Sequence, residues 1–528
     1  MWEIFVYSII ATCIAFVRGG CPPAGYSLCN CTEVRTSELV VSCDGLNYPQ
    51  DIKYQLEGIP IEEITELAIL RSKDLRGMRP DFFKGYKKLE RLSLAANPNS
   101  NLVMPVGLFD TIGSTLEALD LSTSNQTEQI LPPELLAPLG KLKHLDLSNN
   151  QIAQLRPSMF ENLKSLQVLD LSDNQVAGLP AYVIADLLDL KMLDLSNNRL
   201  QELPLDLFDD TQDNLKIMDI GGNRISSLTS THFTMMPNLT VLDTRKNPIN
   251  ALSNDLFSGT PNLARICFDG IQAAVIPPHI FDSIPLESLD LSDLRNVRAL
   301  PESLLSRAGK TLKELHLDDN PKLLEIPGKF FRGLSALEIL DISNTGIELL
   351  PNSFWTDLPE LRKLKLSSNP WLLSVPPPKS ISPQLKYVDA ANCPKFPVSV
   401  KNWVKANFDT TPLLLDFPIN IYRSVNKEIQ LRHITAAPPA TTAPPFGNNN
   451  PNSKPHHHKP RPSSNDNNGG SQWSGNGQSN GKPNGNQWSN NNNGGANDWQ
   501  SNSNSNTDNN NNNNGNNGGG GWFNFFGR

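Results

Sequence analysis

One pattern, LxxLxLxxN, recurs along the chain and limits what it can fold into more than any other feature of the sequence. The clear copies begin at Leu142, Leu166, Leu190, Leu215, Leu239, Leu312 and Leu361. Weaker copies begin at Ile64, Leu89, Leu116, Leu263, Leu286, Leu337 and Leu385. The fourteen starts are about 25 residues apart on average, a period typical of solenoids whose repeats bury their apolar faces against one another. The sequence therefore predicts one repeat domain over residues 61–393.

Two further columns of residues keep the same period. An asparagine follows most of the predicted strands, where its buried amide is expected to bond backbone groups of its own turn and the adjacent turn. This column comprises Asn97, Asn150, Asn174, Asn198, Asn223, Asn247, Asn320 and Asn369. A second, aromatic column is expected to fill the side of the solenoid opposite the strands, and comprises Phe109, Phe160, Phe208, Phe233, Phe257, Phe281, Phe331 and Phe354.

The N-terminal residues indicate export. The apolar run from Ile4 to Val17 is shorter than the roughly 20 residues of a spanning helix, and small residues follow it at Gly19 and Gly20. We expect residues 1–20 to be a signal peptide, and an uncleaved anchor is the alternative because Glu3 stands where a positive charge is usual. In an exported chain, a cluster of cysteines directly after the signal predicts disulfides, here at Cys21, Cys29, Cys31 and Cys43.

These motifs resemble the extracellular leucine-rich repeat family, of the roughly 24-residue class found in Toll-like receptors, Slit-like guidance proteins and small proteoglycans. The resemblance extends from about Cys21 to Phe408. It implies an α/β solenoid, a leucine-rich repeat horseshoe with a parallel concave sheet. It also implies an N-terminal cysteine cap over residues 21–60, in which Cys21 is bonded to Cys31 and Cys29 to Cys43.

The C-terminal end departs from the family pattern. Asn369-Pro370-Trp371 resembles the start of a cysteine cap, but no Cys-x-Cys follows it. Instead, Cys393 stands in the asparagine column, and helical spacing follows at Val400, Trp403, Val404 and Phe408. We therefore expect a C-terminal cap without a disulfide over residues 394–434, and unpaired thiols at Cys267 and Cys393.

The composition changes completely at Thr435. Residues 435–528 begin with a Pro/Thr stretch and continue as Asn, Gly and Ser, with too little apolar surface to offset the entropy of ordering. We expect a disordered tail, which is either a solvated spacer or a segment that self-associates through its aromatic residues. Its aromatic end, Trp522 to Phe526, is too short for a transmembrane anchor or a lipid-anchor signal. The adjacent histidines His456 to His458 offer no fixed geometry for a metal ion.

The fifth position of each repeat is expected to point away from the core, so these side chains form a row with a spacing of about 4.8 Å. Aspartate is the family consensus here, which favours a structural interpretation, whereas a continuous acidic row would also capture a basic protein. The segment around Arg245, Cys267 and His316 interrupts both the acidic row and the regular repeat spacing. The candidate binding residues are Asp170, Asp194, Asp219, Asp243, Arg245, Cys267, Asp290 and His316.

No pattern in the sequence predicts an enzyme. Cys267, Asp290 and His316 share one row, but Cys267 and His316 would lie about 10 Å apart, too far for a nucleophile and its base. We find no phosphate loop, nucleophile elbow or metal-ligand spacing, and we predict no catalytic residue, no cofactor and no metal. The net charge of −8 disfavours nucleic acid as a partner.

The sequence thus predicts a secreted, extracellular protein that binds an extracellular protein partner, with a basic one favoured, in signalling, adhesion, or developmental or immune recognition. One alternative is a matrix component that assembles through its tail, and the other is a solenoid that inhibits an enzyme. No transmembrane anchor is expected. Expected glycan acceptors are the sequons at Asn30, Asn125 and Asn238.

Overall fold

The computed structural model describes residue 21 and residues 28–410, apart from 36–37, 49, 73–76, 98–103, 125–131, 209–211, 235 and 376–383. The expected signal peptide, the expected tail and the sequon at Asn125 lie outside the described residues. Among the helices that are described, none combines the length and the apolar character needed to cross a membrane.

Sixteen strands of the described residues form one sheet, in which the strands follow one another in chain order. The first two strands, β1 (Cys29–Arg35) and β2 (Glu38–Asp44), form an antiparallel hairpin, and β2 pairs in parallel with β3 (Ile64–Leu70). The remaining strands are parallel and have three residues each: β4 (Arg91–Ser93), β5 (Ala118–Asp120), β6 (His144–Asp146), β7 (Val168–Asp170), β8 (Met192–Asp194), β9 (Ile217–Asp219), β10 (Val241–Asp243), β11 (Arg265–Cys267), β12 (Ser288–Asp290), β13 (Glu314–His316), β14 (Ile339–Asp341), β15 (Lys363–Lys365) and β16 (Tyr387–Asp389).

The strands pair so that equivalent repeat positions lie side by side. Leu193 is opposite Met218, for example, and Asp194 is opposite Asp219. Because side chains alternate along a strand, the fourth and sixth positions face the core, whereas the third and fifth positions share the other side, here called the solvent face. The predicted parallel-strand solenoid is therefore confirmed.

Helical structure is short and lies between or after the strands. The helices are α1 (Asp51–Gln55), α2 (Pro133–Leu136), α3 (Phe354–Asp357) and α4 (Val398–Asn407). Single 3-10 turns occur at Ile61–Glu63, Gln212–Asn214 and Ser230–Phe233. Helix α4 is the one predicted from the spacing after Cys393, and it packs Val404 and half-buried Trp403 against the end of the core.

The asparagine column holds each turn to the turn before it, as predicted. The Asn198 amide donates to the carbonyl oxygens of Leu171 at 2.8 Å, Leu195 at 3.1 Å and Ser196 at 3.1 Å. Its Oδ1 accepts the backbone N–H of Val176 at 3.0 Å. Four backbone groups inside the solenoid therefore obtain partners from one side chain.

Cys393 occupies the same place in the last repeat. Its thiol donates to the carbonyl oxygen of Leu366 at 3.1 Å, where an amide would otherwise donate. The other unpaired cysteine, Cys267, is also a buried thiol, so the two free thiols expected from the sequence are both present.

Most rings of the aromatic column are buried in the core, and some of them contact the ring of the next repeat. The ring centroid of Phe257 lies 6.0 Å from that of Phe233 and 6.3 Å from that of Phe281. Phe208 departs from the prediction, because it is only half-buried and packs at the margin of the core.

Two disulfides hold the N-terminal hairpin. Cys21 is bonded to Cys31 and Cys29 to Cys43, which is the pairing that the family resemblance implies. Cys29 and Cys43 also lie opposite each other in the register of the hairpin. The hairpin pairs with the edge of β3 and keeps that edge from pairing with another chain.

Candidate protein-binding site

The fifth positions of β5 to β10 form a continuous line of aspartates on the solvent face, here called the carboxylate row: Asp120, Asp146, Asp170, Asp194, Asp219 and Asp243. Each side chain accepts the backbone N–H of the residue two positions further on. In Asp170, Oδ1 also accepts the Ser172 hydroxyl at 2.6 Å. The aspartates thus hold the chain as it leaves each strand, so the structural interpretation of the row has a physical basis.

The carboxylate row is less exposed than its position on the solvent face suggests. Asp194, Asp219 and Asp243 are 4%, 7% and 8% exposed. Neighbouring strands are close together, and each carboxylate bends toward its own turn, so adjacent side chains cover one another. A partner would therefore reach only the small exposed part of each of these carboxylates.

Crowding of the carboxylates raises their pKa values. Burial, followed by the charge of Asp120, raises the pKa of Asp146 to about 6. Burial and then the charges of Asp194 and Asp146 raise the pKa of Asp170 well above its usual value. No lysine or arginine of the described residues forms an ion pair with Asp146 or Asp170. When these two carboxylates ionise, only solvent or a partner is left to balance their charge.

Two other acidic side chains on the solvent face have a cation of their own. Arg245 Nε donates to both carboxylate oxygens of Asp243, at 2.9 and 2.8 Å. Lys365 Nζ donates to Asp341 at 2.7 Å. Arg245 was expected among the binding residues as an interruption of the row, and the structure shows that its guanidinium pairs with Asp243 at the end of the row.

A group of apolar side chains lies beside the carboxylate row and was missed by the sequence analysis. Met192 and Ile217 are 2% and 4% exposed, and half-buried Val168 and Val241 pack against them. They occupy the third positions of β7 to β10, on the solvent face and apart from the main core. The signal was present in the sequence, because four successive repeats carry an apolar third residue. We call this group the apolar stripe: Val168, Met192, Ile217 and Val241.

Polar residues bound the apolar stripe. His144 and Arg265 hold the equivalent third positions on either side of it, in β6 and β11. Burial, followed by the charges of Arg91 and Lys143, lowers the pKa of His144 to about 4, so this imidazole is neutral at physiological pH. The stripe is therefore a limited apolar patch centred on β8 and β9.

Cys267 does not have the chemistry of a nucleophile. Its sulfur lies 3.4 Å from a carboxylate oxygen of Asp290, on the next strand, and acts as the donor. Burial, followed by the charges of Asp243 and Asp290, raises the pKa of the thiol well above its usual value. A thiolate, which is the reactive form, is thereby disfavoured.

His316 lies opposite Asp290, on the far side from Cys267. Its Nε2 is 3.1 Å from a carboxylate oxygen of Glu314. Burial by itself lowers the pKa of His316, but the carboxylates of Asp318 and Glu314 outweigh that effect and raise it to about 10. The imidazole is thus a cation at neutral pH and is not available as a general base.

The two described sequons lie on exposed asparagines. Asn238 precedes β10, and its amide donates to the carbonyl oxygen of Asp213 at 2.5 Å. Asn30 lies in β1 between Cys29 and Cys31, both of which are in disulfides. Glycan attachment at these two residues is a proposal that their exposure permits.

The raised pKa of Asp146 gives a testable pH dependence of stability. Because its folded-state pKa of about 6 lies above the value of an unfolded aspartate, its contribution favours folding at low pH and is lost as the pH rises through 6. Asp146→Asn should therefore stabilise the protein at pH 7.5 by about 1–2 kcal/mol, since one pKa unit corresponds to about 1.4 kcal/mol and solvent screens part of the effect. The gain should disappear near pH 4.

Chemical denaturation at pH 4.5, 6 and 7.5 measures this difference. Asp173→Asn removes one negative charge from an exposed residue outside the row and is the matched control. Equal stabilisation by the two variants at pH 7.5 would show that net charge, and not burial within the row, is responsible.

The repeats match the family model for leucine-rich repeats over residues 114–176, 140–200, 213–267 and 310–370. A chain of the Drosophila Toll–Spatzle complex superposes with a TM-score of 0.54 at 18% identity, over 70% of this chain and 52% of that chain. A chain of the LRIM1/APL1C complex gives a TM-score of 0.51 at 17% identity, over 66% of this chain and 61% of that chain. At these identities the likeness establishes the fold.

The curated relatives match a limited part of the chain. The follicle-stimulating hormone receptor of Ovis aries is 35% identical over 106 residues, which are 20% of this chain and 14% of the receptor. The corresponding receptor of Bos taurus matches over the same length at the same identity. The chain thus spans about a seventh of the length of the curated relatives it matches. The repeat match and the structural likeness show that this chain contains leucine-rich repeats and has the leucine-rich repeat fold, and the two N-terminal disulfides fit a cysteine cap.

Proposed function

We propose that this chain is a secreted protein that binds a basic protein partner through the solvent face of β6 to β10, in extracellular signalling, adhesion or recognition. The observation that carries the proposal is the carboxylate row beside the apolar stripe. A partner segment with lysine or arginine next to aliphatic side chains would match both features at once.

Two facts about the molecule and its relatives support this proposal. The paired disulfides of the N-terminal cap favour an oxidising, extracellular location. Two solved chains with this fold come from the Toll–Spatzle complex and the LRIM1/APL1C complex, and the similar curated proteins are receptors for follicle-stimulating hormone.

The charge state of the row supports a basic partner more than an acidic or neutral one. Asp146 and Asp170 have no cationic partner among the described residues, and their ionised forms are disfavoured by burial. A lysine or arginine brought against them would relieve that penalty, because an opposite charge favours the ionised carboxylate. Partner affinity should accordingly weaken as the pH falls below about 6.

The experiment uses the full chain as bait in extracellular fluid and then the purified captured protein in titrations. The test variant carries Asp170→Asn and Asp194→Asn, which retain the Oδ1 acceptor of each turn. The control variant carries Asp173→Asn and Glu161→Gln, two exposed residues outside the row, so that net charge is matched. We expect at least a tenfold loss of affinity in the test variant and less than a twofold loss in the control.

Equal losses of affinity in the two variants would show that the partner is attracted by net charge and not by the carboxylate row. Unchanged affinity in both would place the partner on another surface. A third variant, Val168→Lys, introduces a charge at a half-buried residue of the apolar stripe and should also weaken binding at least tenfold if the stripe is part of the contact.

A further inference from the structure

A second polar cluster lies on the solvent face at β13 and β14, away from the apolar stripe. His316 ends β13, Asp341 lies opposite it in β14, and Asp318 follows His316 by two residues. One ring nitrogen and one oxygen from each carboxylate all lie within 4.8 Å of one another. His316 and Asp341 are 3% and 1% exposed.

This repeat departs from its neighbours at two positions that act together. In a regular repeat, such as the one with Asp170 and Ser172, the fifth-position carboxylate accepts the hydroxyl of the seventh-position serine. Here the fifth position is His316 and the seventh is Asp318. The pair therefore offers a nitrogen and a carboxylate in place of the usual acceptor and hydroxyl donor.

An oxygen atom inside the cluster lacks a hydrogen-bond donor, although it forms an ion pair with His316. Asp318 Oδ1 is buried and accepts no hydrogen bond from any described residue. It lies 3.7 Å from His316 Nδ1, beyond hydrogen-bond distance. A buried carboxylate oxygen without a donor is costly, and such an atom calls for an ion or another group that supplies positive charge.

We propose that His316, Asp318 and Asp341 bind a divalent transition-metal ion, for which Zn²⁺ is the best match, and that the ion displaces the proton of the His316 imidazolium to solvent, because only a neutral imidazole has a lone pair to donate. Imidazole nitrogen and carboxylate oxygen are both Zn²⁺ ligands. Glu314 supplies the supporting contact, since its carboxylate oxygen is 3.1 Å from His316 Nε2 and orients Nδ1 toward Asp318. A carboxylate behind a ligating histidine is a common way to fix the ring.

The spacing of the three side chains suits one ion after a small adjustment. Ligands at about 2.1 Å from Zn²⁺ lie about 3.4 Å apart in tetrahedral geometry. The ligand atoms therefore need to approach by at most about 1.5 Å, which rotation of two aspartate side chains supplies. The Asp318 side chain is 25% exposed, so an ion has a path from solvent.

Lys365 competes with the ion for one ligand. Its ammonium donates to Asp341 Oδ2 at 2.7 Å, while Asp341 Oδ1 accepts the backbone N–H of Ser343. The lysine side chain is long and 18% exposed, so it can move away when an ion binds. Removing the charge of Lys365 should consequently strengthen Zn²⁺ binding. Non-specific binding of Zn²⁺ to other surface carboxylates would not respond to this substitution.

The test measures Zn²⁺ binding by isothermal titration calorimetry and by the shift of the thermal unfolding midpoint. All variants are made in the full chain with His456, His457 and His458 changed to alanine, so that these histidines do not contribute. Asp318→Asn keeps the shape of the side chain and is the main variant. Asp319→Asn removes the same charge from the exposed neighbouring residue and is its control.

We expect one Zn²⁺ per chain, at least a tenfold weaker affinity in Asp318→Asn, an unchanged affinity in Asp319→Asn and at least a threefold tighter affinity in Lys365→Gln. Circular dichroism checks that each variant is folded. Absence of saturable one-to-one binding would overturn the proposal, as would equal weakening by Asp318→Asn and Asp319→Asn or no gain in Lys365→Gln. None of these outcomes depends on the partner proposed for the carboxylate row.

Discussion

Replacing Asn198 by alanine should lower the free energy of unfolding by about 2–4 kcal/mol. The substitution removes an amide that contacts three carbonyl oxygens and an Oδ1 that accepts the backbone N–H of Val176, which is left without a partner. The carbonyl oxygens of Leu171 and Leu195 each keep one donor, from Asn174 and Asn223. An unsatisfied buried polar group costs about 1–3 kcal/mol, and partial relaxation of the turn keeps the total below the simple sum. Urea denaturation followed by far-ultraviolet circular dichroism measures the change.

Two further variants make this result interpretable. Asn198→Cys should lose less than Asn198→Ala, because Cys393 shows that a thiol in this column can donate to the carbonyl oxygen of the preceding repeat. Gln201→Ala, at an exposed residue of the same repeat, should change stability by less than about 0.5 kcal/mol. If Asn198→Ala were as mild as Gln201→Ala, the asparagine column would not hold the turns together.

Phe257→Ala should destabilise the protein by about 3–5 kcal/mol, the usual range for deleting a buried aromatic ring. Phe257 is fully buried, and its ring centroid lies within 6.0–6.3 Å of those of Phe233, Phe268 and Phe281. The cavity left by the missing ring would lie between successive repeats. Neighbouring turns could not move in to fill it without breaking their own contacts. Thermal and urea unfolding both report the loss.

A graded comparison separates lost packing from a general effect of substitution. Phe257→Leu retains most of the buried volume and should cost roughly half as much as Phe257→Ala. Val275→Ala, at a residue that is 69% exposed, should be close to neutral. Similar costs for Phe257→Leu and Phe257→Ala would argue that the shape of the ring, and not the cavity volume, sets the stability of the aromatic column.

The repeat pattern was sufficient to predict most of the fold. Leucines at the first, fourth and sixth positions located the strands, because a strand with one buried face must alternate its side chains. The asparagine after each strand was correctly expected to bond backbone groups, and Cys393 to replace it in the last repeat. The disulfide pairing came from the family resemblance, since four cysteines allow three pairings and the sequence alone does not choose among them.

The candidate site was less predictable. The sequence placed aspartates in a row but did not show that Asp194 and Asp219 are almost fully buried, because their burial depends on the strands to either side. The neutralisation of Asp243 by Arg245 was likewise missed, as was the apolar stripe. The sequence predicted no metal site, and spacing along the chain does not show that strand pairing brings His316 and Asp341 close together.

The sequence by itself determined the unit: a strand, a turn and a return segment, repeated at a spacing that aligns equivalent residues. That follows because local periodicity specifies which face of each strand is apolar. Only the tertiary structure decided which surface residues of different repeats lie against one another. It buries the carboxylates together, makes the apolar stripe continuous and brings His316 close to Asp341. The physical reason is that stacking sets distances between residues about 25 positions apart, and charge interactions and packing depend on those distances rather than on order along the chain.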